Sequence, residues 1–189
     1  MTIKVPVEIS ARHIHLCKED FEKLFGKNKK LISIKKLSQP GEFASKDKIE
    51  IINEKNKLNA RVLGPLRNHS QAEISFTDAY NLNLNPLPKV RVSGDIHGAV
   101  QVLVKGPKGQ TKIPAIIAQR HLHCSEEQAK KLKLKENQII SVKITGQRKT
   151  TFHNVIVRAS KKYDLSVHLD TDEANAAGIS EKTLGEIVN

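Results

Sequence analysis

The chain has no tryptophan, one methionine and two cysteines among 189 residues, and aromatics make up only 4% of it. So few flat rings argue against a nucleic-acid reader built on stacking platforms. Two cysteines are too few for a disulfide scaffold, so a reducing, cytoplasmic compartment is expected. No apolar run reaches membrane-spanning length and no signal peptide is present, which predicts a soluble chain with no membrane partner. Neither GxGxxG nor GxxxxGK[ST] occurs, leaving dinucleotide-fold and P-loop sites without a motif. A low-complexity tail is also missing.

What is plentiful is lysine. Lys+Arg number 32 against 20 Asp+Glu, a formal charge of +12. Such a field suits nucleic acid, an anionic surface or a polyanionic small molecule. The basic residues are scattered through turns and helix faces, with no Arg-rich tail, as expected of a solvated surface without a nucleic-acid partner.

One phrase occurs twice. VPVEISARHIHLCKEDFEKL starts at Val5 and IPAIIAQRHLHCSEEQAKKL at Ile113, 108 positions later. The two windows share Pro6/Pro114, Ile9/Ile117, Arg12/Arg120, His13/His121, His15/His123, Glu19/Glu127, Lys23/Lys131 and Leu24/Leu132. Each reads as a strand that delivers His-x-His and then turns into a helix. In extended backbone, residues i and i+2 point the same way, so each pair presents two imidazoles to one ion.

Around these motifs lie many short strand signals. They fall at 2–9, 31–37, 48–53, 60–63, 139–144, 151–157 and 165–169. Residues 139–144 and 151–157 read as a hairpin turning at Gly146, and Val90/Val92 with Val100/Val102/Val104 as another. Short helices are predicted over 18–25, ended by Gly26, after Ser125 with Gln128 as a capping box, and from Asp170 to Gly178. The expected class is mainly β with short α-helices: two β-barrel domains related by internal duplication and capped by small helices. The expected boundaries are 12–119 for a central barrel, with a lid hairpin near 33–45. The N-terminal strand, 1–11, and the C-terminal half, 120–189, form the second barrel.

Two histidines from one strand need a third protein ligand to make a metal site. The parallel between halves suggests it: Glu73 precedes Thr77-Asp78 as His168 precedes Thr171-Asp172. The proposed sets are His13, His15, Glu73 and His121, His123, His168. Three protein ligands with an open position is a catalytic arrangement. His69, His97 and His153 lack duplication and read as loop or surface residues, with His69 near Arg67. Cys17 and Cys124 read as small buried residues. Alternation puts Arg12 and Arg120 on the strand face opposite the histidines, where they would brace the interface between the halves. Arg67 follows the Gly64-Pro65 turn; beside a metal, its planar fork would bind a phosphoryl or carboxylate group.

Taken together, Val7-Glu-Ile-Ser-Ala-Arg-His-Ile-His15, Ser38-Gln-Pro-Gly-Glu42, Val62-Leu-Gly-Pro-Leu-Arg67 with Glu73, Gln119-Arg-His-Leu-His123 and His168-Leu-Asp-Thr-Asp172 resemble the propanediol-utilisation type of phosphotransacylase, over essentially the whole chain. The resemblance implies exchange between acyl-CoA plus phosphate and acyl phosphate plus CoA, on two β-barrels with a pair of metal ions, usually zinc, between them. It implies His13, His15 and Glu73 on one metal, His121, His123 and His168 on the other, and Arg67 on phosphate. Ile9, Ser10, Ala11, Arg61 and Asn175 match positions lining the CoA groove; Gln39, Pro40 and Gly41 match a lid. A homodimer is implied, with an acetate or propionate kinase as metabolic neighbour. Encapsulated relatives carry an N-terminal amphipathic extension that this sequence lacks, so a cytoplasmic enzyme using propanoyl- or acetyl-CoA is expected. Two other classes stay open: a metal-dependent thioesterase or phosphoesterase with water as nucleophile, and a basic metal-containing nucleic-acid-binding module.

Overall fold

Six strands close into a ring in each of two units that the chain visits in alternation. The computed structural model describes residues 3–180 and 183–188. One unit takes the chain up to Ser10, Ser38–Pro40 and the chain from Gln119; the other takes Ala11–Leu37 and Gly41–Ala118.

In the first unit β1 (Ile3–Ser10) pairs in parallel with β13 (Ser166–Asp170). The ring continues through β10 (His121–Cys124), β12 (Thr150–Ala159), β11 (Ile139–Ile144) and β14 (Leu184–Val188), which returns to β1. Alternate residues point inward. Val5, Val7, Leu122, Cys124, Val142, Val157, Val167 and Leu169 make a nearly dry interior. Gly185 fits where a Cβ would stand 2.6 Å from a Val142 methyl, so close packing excludes any larger residue there.

In the second unit the ring runs β4 (Phe43–Asn53), β5 (Asn56–Gly64), β2 (His13–His15), β6 (Gln71–Glu73), β9 (Gln110–Ala118) and β8 (Val100–Lys105), and β8 pairs again with β4. Two short strands extend it, β3 (Ser33–Lys36) beside β4 and β7 (Val90–Arg91) beside β9. Ile14, Ile49, Ile51, Val62, Val102, Val104 and Ile113 fill this barrel.

The rings match strand for strand and sense for sense. The His-x-His strand is parallel to one neighbour (β2 to β5, β10 to β12) and antiparallel to the other (β2 to β6, β10 to β13). The next strand is again parallel: β6 with β9, β13 with β1. Each leading strand therefore belongs to the opposite unit from the motif it precedes, with β1 before His13 and β9 before His121. The fold is the expected pair of duplicated barrels.

Short helices, four among the described residues, cap the strands. α1 (Lys18–Phe25) buries Phe21, Leu24 and Phe25 and stops at Gly26, whose φ of 96° favours glycine; the Cys17 thiol makes no capping bond. α2 (Phe76–Asn81), α3 (Glu126–Leu132) and α4 (Thr171–Ala177) each begin with a reciprocal capping box: Ser75/Asp78, Ser125/Gln128 and Asp170/Glu173.

One expected hairpin does not form. β7 and β8 both pair with β9, in parallel and antiparallel respectively. Two apolar runs separated by glycines satisfy the hairpin pattern, but each finds a better partner across the sheet.

Candidate metal centres and anion pocket

Strand alternation sends Ile14 and Leu122 into their barrels and turns the flanking histidines to the other face. The third residue arrives by register. Glu73 lies opposite His13 across the antiparallel β2–β6 pair, and His168 lies opposite His121 across β10–β13. Cross-strand partners sit about 5 Å apart, so the ligand atoms of each trio gather within 4.8 Å of one another. The two trios deduced from the sequence are thus brought together.

In the first trio, the Ala11 carbonyl lies 2.9 Å from His13 Nδ1 and leaves Nε2 facing inward. His13 Nε2 and His15 Nε2 are 3.2 Å apart, with Glu73 Oε2 at 3.6 Å from the former. Nitrogen ligands at about 2.0–2.1 Å from a tetrahedral zinc would be separated by about 3.3 Å, so the donor set fits a small divalent ion. His15 Nδ1 is buried without a partner. Burial pushes the His13 imidazole down, but the Glu73 charge and hydrogen bond prevail and raise it. Burial, followed by the His13 and Arg67 charges, holds His15 well below its ordinary value. For Glu73 burial works upward, yet His13 and His15 hold the carboxyl well below the usual range. An anion beside two imidazoles is built to keep one positive charge; a metal ion would take the place of the His13 proton.

The second trio repeats the design with a neutral third residue. The Gln119 carbonyl lies 2.9 Å from His121 Nδ1, as Ala11 does for His13. His121 and His168 stack at 5.0 Å between centroids, and His123 stacks on Tyr163 at 4.0 Å. All three histidines are half-buried, whereas His13, His15 and Glu73 are buried.

Each of the shared arginines ties down the helix behind the third residue of its trio. Arg12 pairs with Asp78, the N3 acid of the α2 capping box. Arg120 pairs with Glu173, the N3 acid of α4, at 2.6 Å. Cys124 is fully buried as expected. Cys17 is only half-buried, because its thiol turns to Ser70 and Asp20, each 3.4 Å away.

Arg67 follows β5. Its backbone N–H donates to the Leu16 carbonyl, and Nη2 donates to Glu42 Oε1 at 2.9 Å. The guanidinium acts electrostatically on both His13 and His15. It lines a cavity of about 380 Å³ together with Asn68, His69, Gln71, Gly94 and Ile96. His69, placed near Arg67 by sequence, shares this cavity.

A family model described as phosphate propanoyltransferase matches residues 6–180. The chain belongs to the phosphate propanoyltransferase family. It is 43% identical over 188 residues to a phosphate propanoyltransferase of Lachnoclostridium phytofermentans, covering 97% of this chain and 85% of the relative. A Levilactobacillus brevis protein of the same name is 42% identical (98% and 89% covered), and one from Clostridioides difficile 38% (97% and 88%).

In this phosphate propanoyltransferase relative, the residues expected at a CoA groove fall on both units. Ile9 is exposed near the end of β1, Ser10 closes that strand, and Asn175 is exposed on α4. Ala11 is exposed beside the first trio, and Arg61 donates to the Ser45 carbonyl at 2.7 Å. Of the expected lid, Pro40 and Gly41 are exposed, while Gln39 is buried. The Gln39 amide donates to the Asp164 carbonyl and Ser166 Oγ at 3.1 and 2.9 Å and lies 3.5 Å from His168 Nε2. Gln71, Ser93 and Ser166 were missed by sequence reasoning. One signal was available: Gln71 and Ser166 each stand two places before the third residue of a trio, hence on the same strand face. No helix among the described residues is long and apolar enough to cross a membrane.

Proposed function

We propose that this chain is a phosphate acyltransferase that converts a short-chain acyl-CoA, propanoyl or acetyl, and inorganic phosphate into acyl phosphate and CoA. The observation that carries the reading is the Arg67 cavity, whose lining residue Gln71 also donates to Glu73 of the His-His-Glu trio. An arginine lining a 380 Å³ cavity together with Asn68, His69 and Gln71 is suited to a tetrahedral dianion.

In the proposed reaction a phosphate oxygen attacks the thioester carbonyl carbon. The carbon–sulfur bond then breaks, and the electron pair leaves with the CoA thiolate. Arg67 holds the phosphate through parallel hydrogen bonds, which aligns an oxygen with the carbonyl carbon and offsets the repulsion between the dianion and the charge developing on the carbonyl oxygen. His13, His15 and Glu73 would hold one divalent ion and His121, His123 and His168 another; zinc is the proposed metal, on the nitrogen-rich donor sets. When bound, zinc supplies Lewis acidity toward carbonyl and phosphoryl oxygens and a soft partner for a departing thiolate. Glu73 and the imidazoles contribute a fixed set of donor atoms, and the Glu73 charge that supports a proton on His13 would support a metal cation in its place. No covalent acyl-enzyme is required, and burial pushes both the Cys17 and Cys124 thiols up, away from the thiolate a nucleophile would need.

Ile9, Ser10, Ala11, Arg61 and Asn175 are proposed to line the CoA groove, and Gln39, Pro40 and Gly41 to cover it. A cytoplasmic homodimer is proposed, with its acyl phosphate consumed by an acetate or propionate kinase. The test is release of CoA thiol from propanoyl-CoA with and without phosphate, with acyl phosphate trapped as its hydroxamate. Release that requires phosphate and matches hydroxamate is expected. Release indifferent to phosphate would instead make the chain a thioesterase.

A further inference from the structure

Glu73 has two oxygens, and the protein uses them differently. Oε2 faces His13 Nε2 at 3.6 Å. Oε1 lies farther off, 3.9 Å from His15 Nε2, and is occupied by two donors: Gln71 Nε2 at 2.5 Å and Ser93 Oγ at 2.6 Å. Gln71 Nε2 also lies 2.8 Å from Ser93 Oγ, so the amide, the hydroxyl and Oε1 form one closed triangle, and the Gly94 N–H donates to Gln71 Oε1 at 3.0 Å. Glu73 and Gln71 are buried at 6% and 3% exposure, and Ser93 is half-buried. Gly94, with φ of 96°, lets the chain turn its N–H back to Gln71 and also lines the Arg67 cavity.

We propose that Ser93 and Gln71 are positioning residues that fix Glu73 as a one-oxygen metal ligand through Oε2. A free carboxylate could chelate through both oxygens or rotate away; two donors on Oε1 disfavour both. Removing such an orienting contact typically weakens metal binding about 10–100-fold. The second trio has no carboxylate to orient. There Ser166, in the register position equivalent to Gln71, has its Oγ 2.8 Å from His168 Nε2. The inference rests on the metal reading of the trios, and its test is built to fail separately.

The experiment measures zinc per chain and the rate of zinc loss to a chelator for the full chain. Wild type with two equivalents, and His13→Ala with one, establishes the metal reading without reference to Ser93. On that background Ser93→Ala should lose one equivalent of zinc about tenfold or more faster, while the other equivalent leaves as in wild type. Ser93→Thr, which keeps the hydroxyl, should restore the slow rate. Cobalt-substituted Ser93→Ala should show an altered visible spectrum at one site only. Retention of the second equivalent also reports that the protein is folded. Wild-type zinc loss and an unchanged cobalt spectrum in Ser93→Ala would overturn the proposal. So would equal acceleration at both sites, which would mean general loosening of the fold.

Discussion

Glu73 and His168 occupy the same place in a duplicated barrel: each stands directly across an antiparallel strand pair from the first histidine of its motif. One is a carboxyl and the other an imidazole, so the two trios share a geometry and differ in the chemistry of the third donor.

That difference predicts unequal metal affinity. The His13–His15–Glu73 trio is buried and includes a carboxylate ligand, whereas the His121–His123–His168 trio is half-buried and offers imidazoles alone. Coulomb attraction for a divalent ion is larger at the first site and less screened there. Zinc should leave to a chelator in two phases, separated by about tenfold, which corresponds to about 1.4 kcal/mol. His13→Ala should abolish the slow phase and His121→Ala the fast one. A single phase for both equivalents would show that the carboxylate confers no advantage.

The arginine preceding each motif predicts a pH-dependent stability effect. Burial raises the Glu173 carboxyl above its ordinary 4.5, against the downward pull of Arg120, and burial likewise raises Asp170 above 3.8. A raised carboxyl favours the folded state most when neutral; that contribution is present below the ordinary value and is lost as pH rises through the raised one. Arg120→Gln removes the main charge that supports ionised Glu173. It should destabilise the first unit by about 1–2 kcal/mol near neutral pH, and by less at about pH 4. Thermal unfolding of the variant and wild type across pH measures this. A loss that does not shrink on acidification would mean that Arg120 acts through packing on Phe152, whose ring centroid lies 5.2 Å from it.

Much of this site was legible because it is local or repeated. His-x-His declares itself through strand periodicity, and the second copy pointed to Glu73 and His168 by parallel spacing. The capping box at Ser125 lies within four residues and follows from helix-end chemistry, as does the stop of the last helix at Gly178. What escaped depends on tertiary placement. Ser93 reaches Glu73 from a loop 20 residues away, and Gln39 reaches Ser166 across 127. A serine or glutamine in a turn has no periodic signature to mark such a contact. The expected hairpin of Val90 and Val100 failed for a related reason, since alternation identifies a strand and not its partner.

The last prediction concerns Arg67 and Glu42. The Arg67 guanidinium now gives one N–H to the Glu42 carboxylate, and both side chains are about one-third exposed. A carboxylate and a phosphate ask the same thing of an arginine fork, so Glu42 and substrate compete for it. Arg67→Ala should therefore raise the phosphate KM, lower kcat, or both, by about a hundredfold in combination, equivalent to about 3 kcal/mol. Arg67→Lys should recover only part, because an ammonium has charge without the planar fork. Glu42→Gln should move the other way and lower the phosphate KM a few-fold, with kcat for saturating phosphate little changed. Zinc content should stay at the wild-type level in all three, since neither residue belongs to a trio. Steady-state kinetics with phosphate varied at saturating propanoyl-CoA separates the cases. Wild-type constants in Arg67→Ala would remove the arginine from the reaction. A raised phosphate KM in Glu42→Gln would show that the carboxylate aims Arg67 at its substrate rather than competing with it.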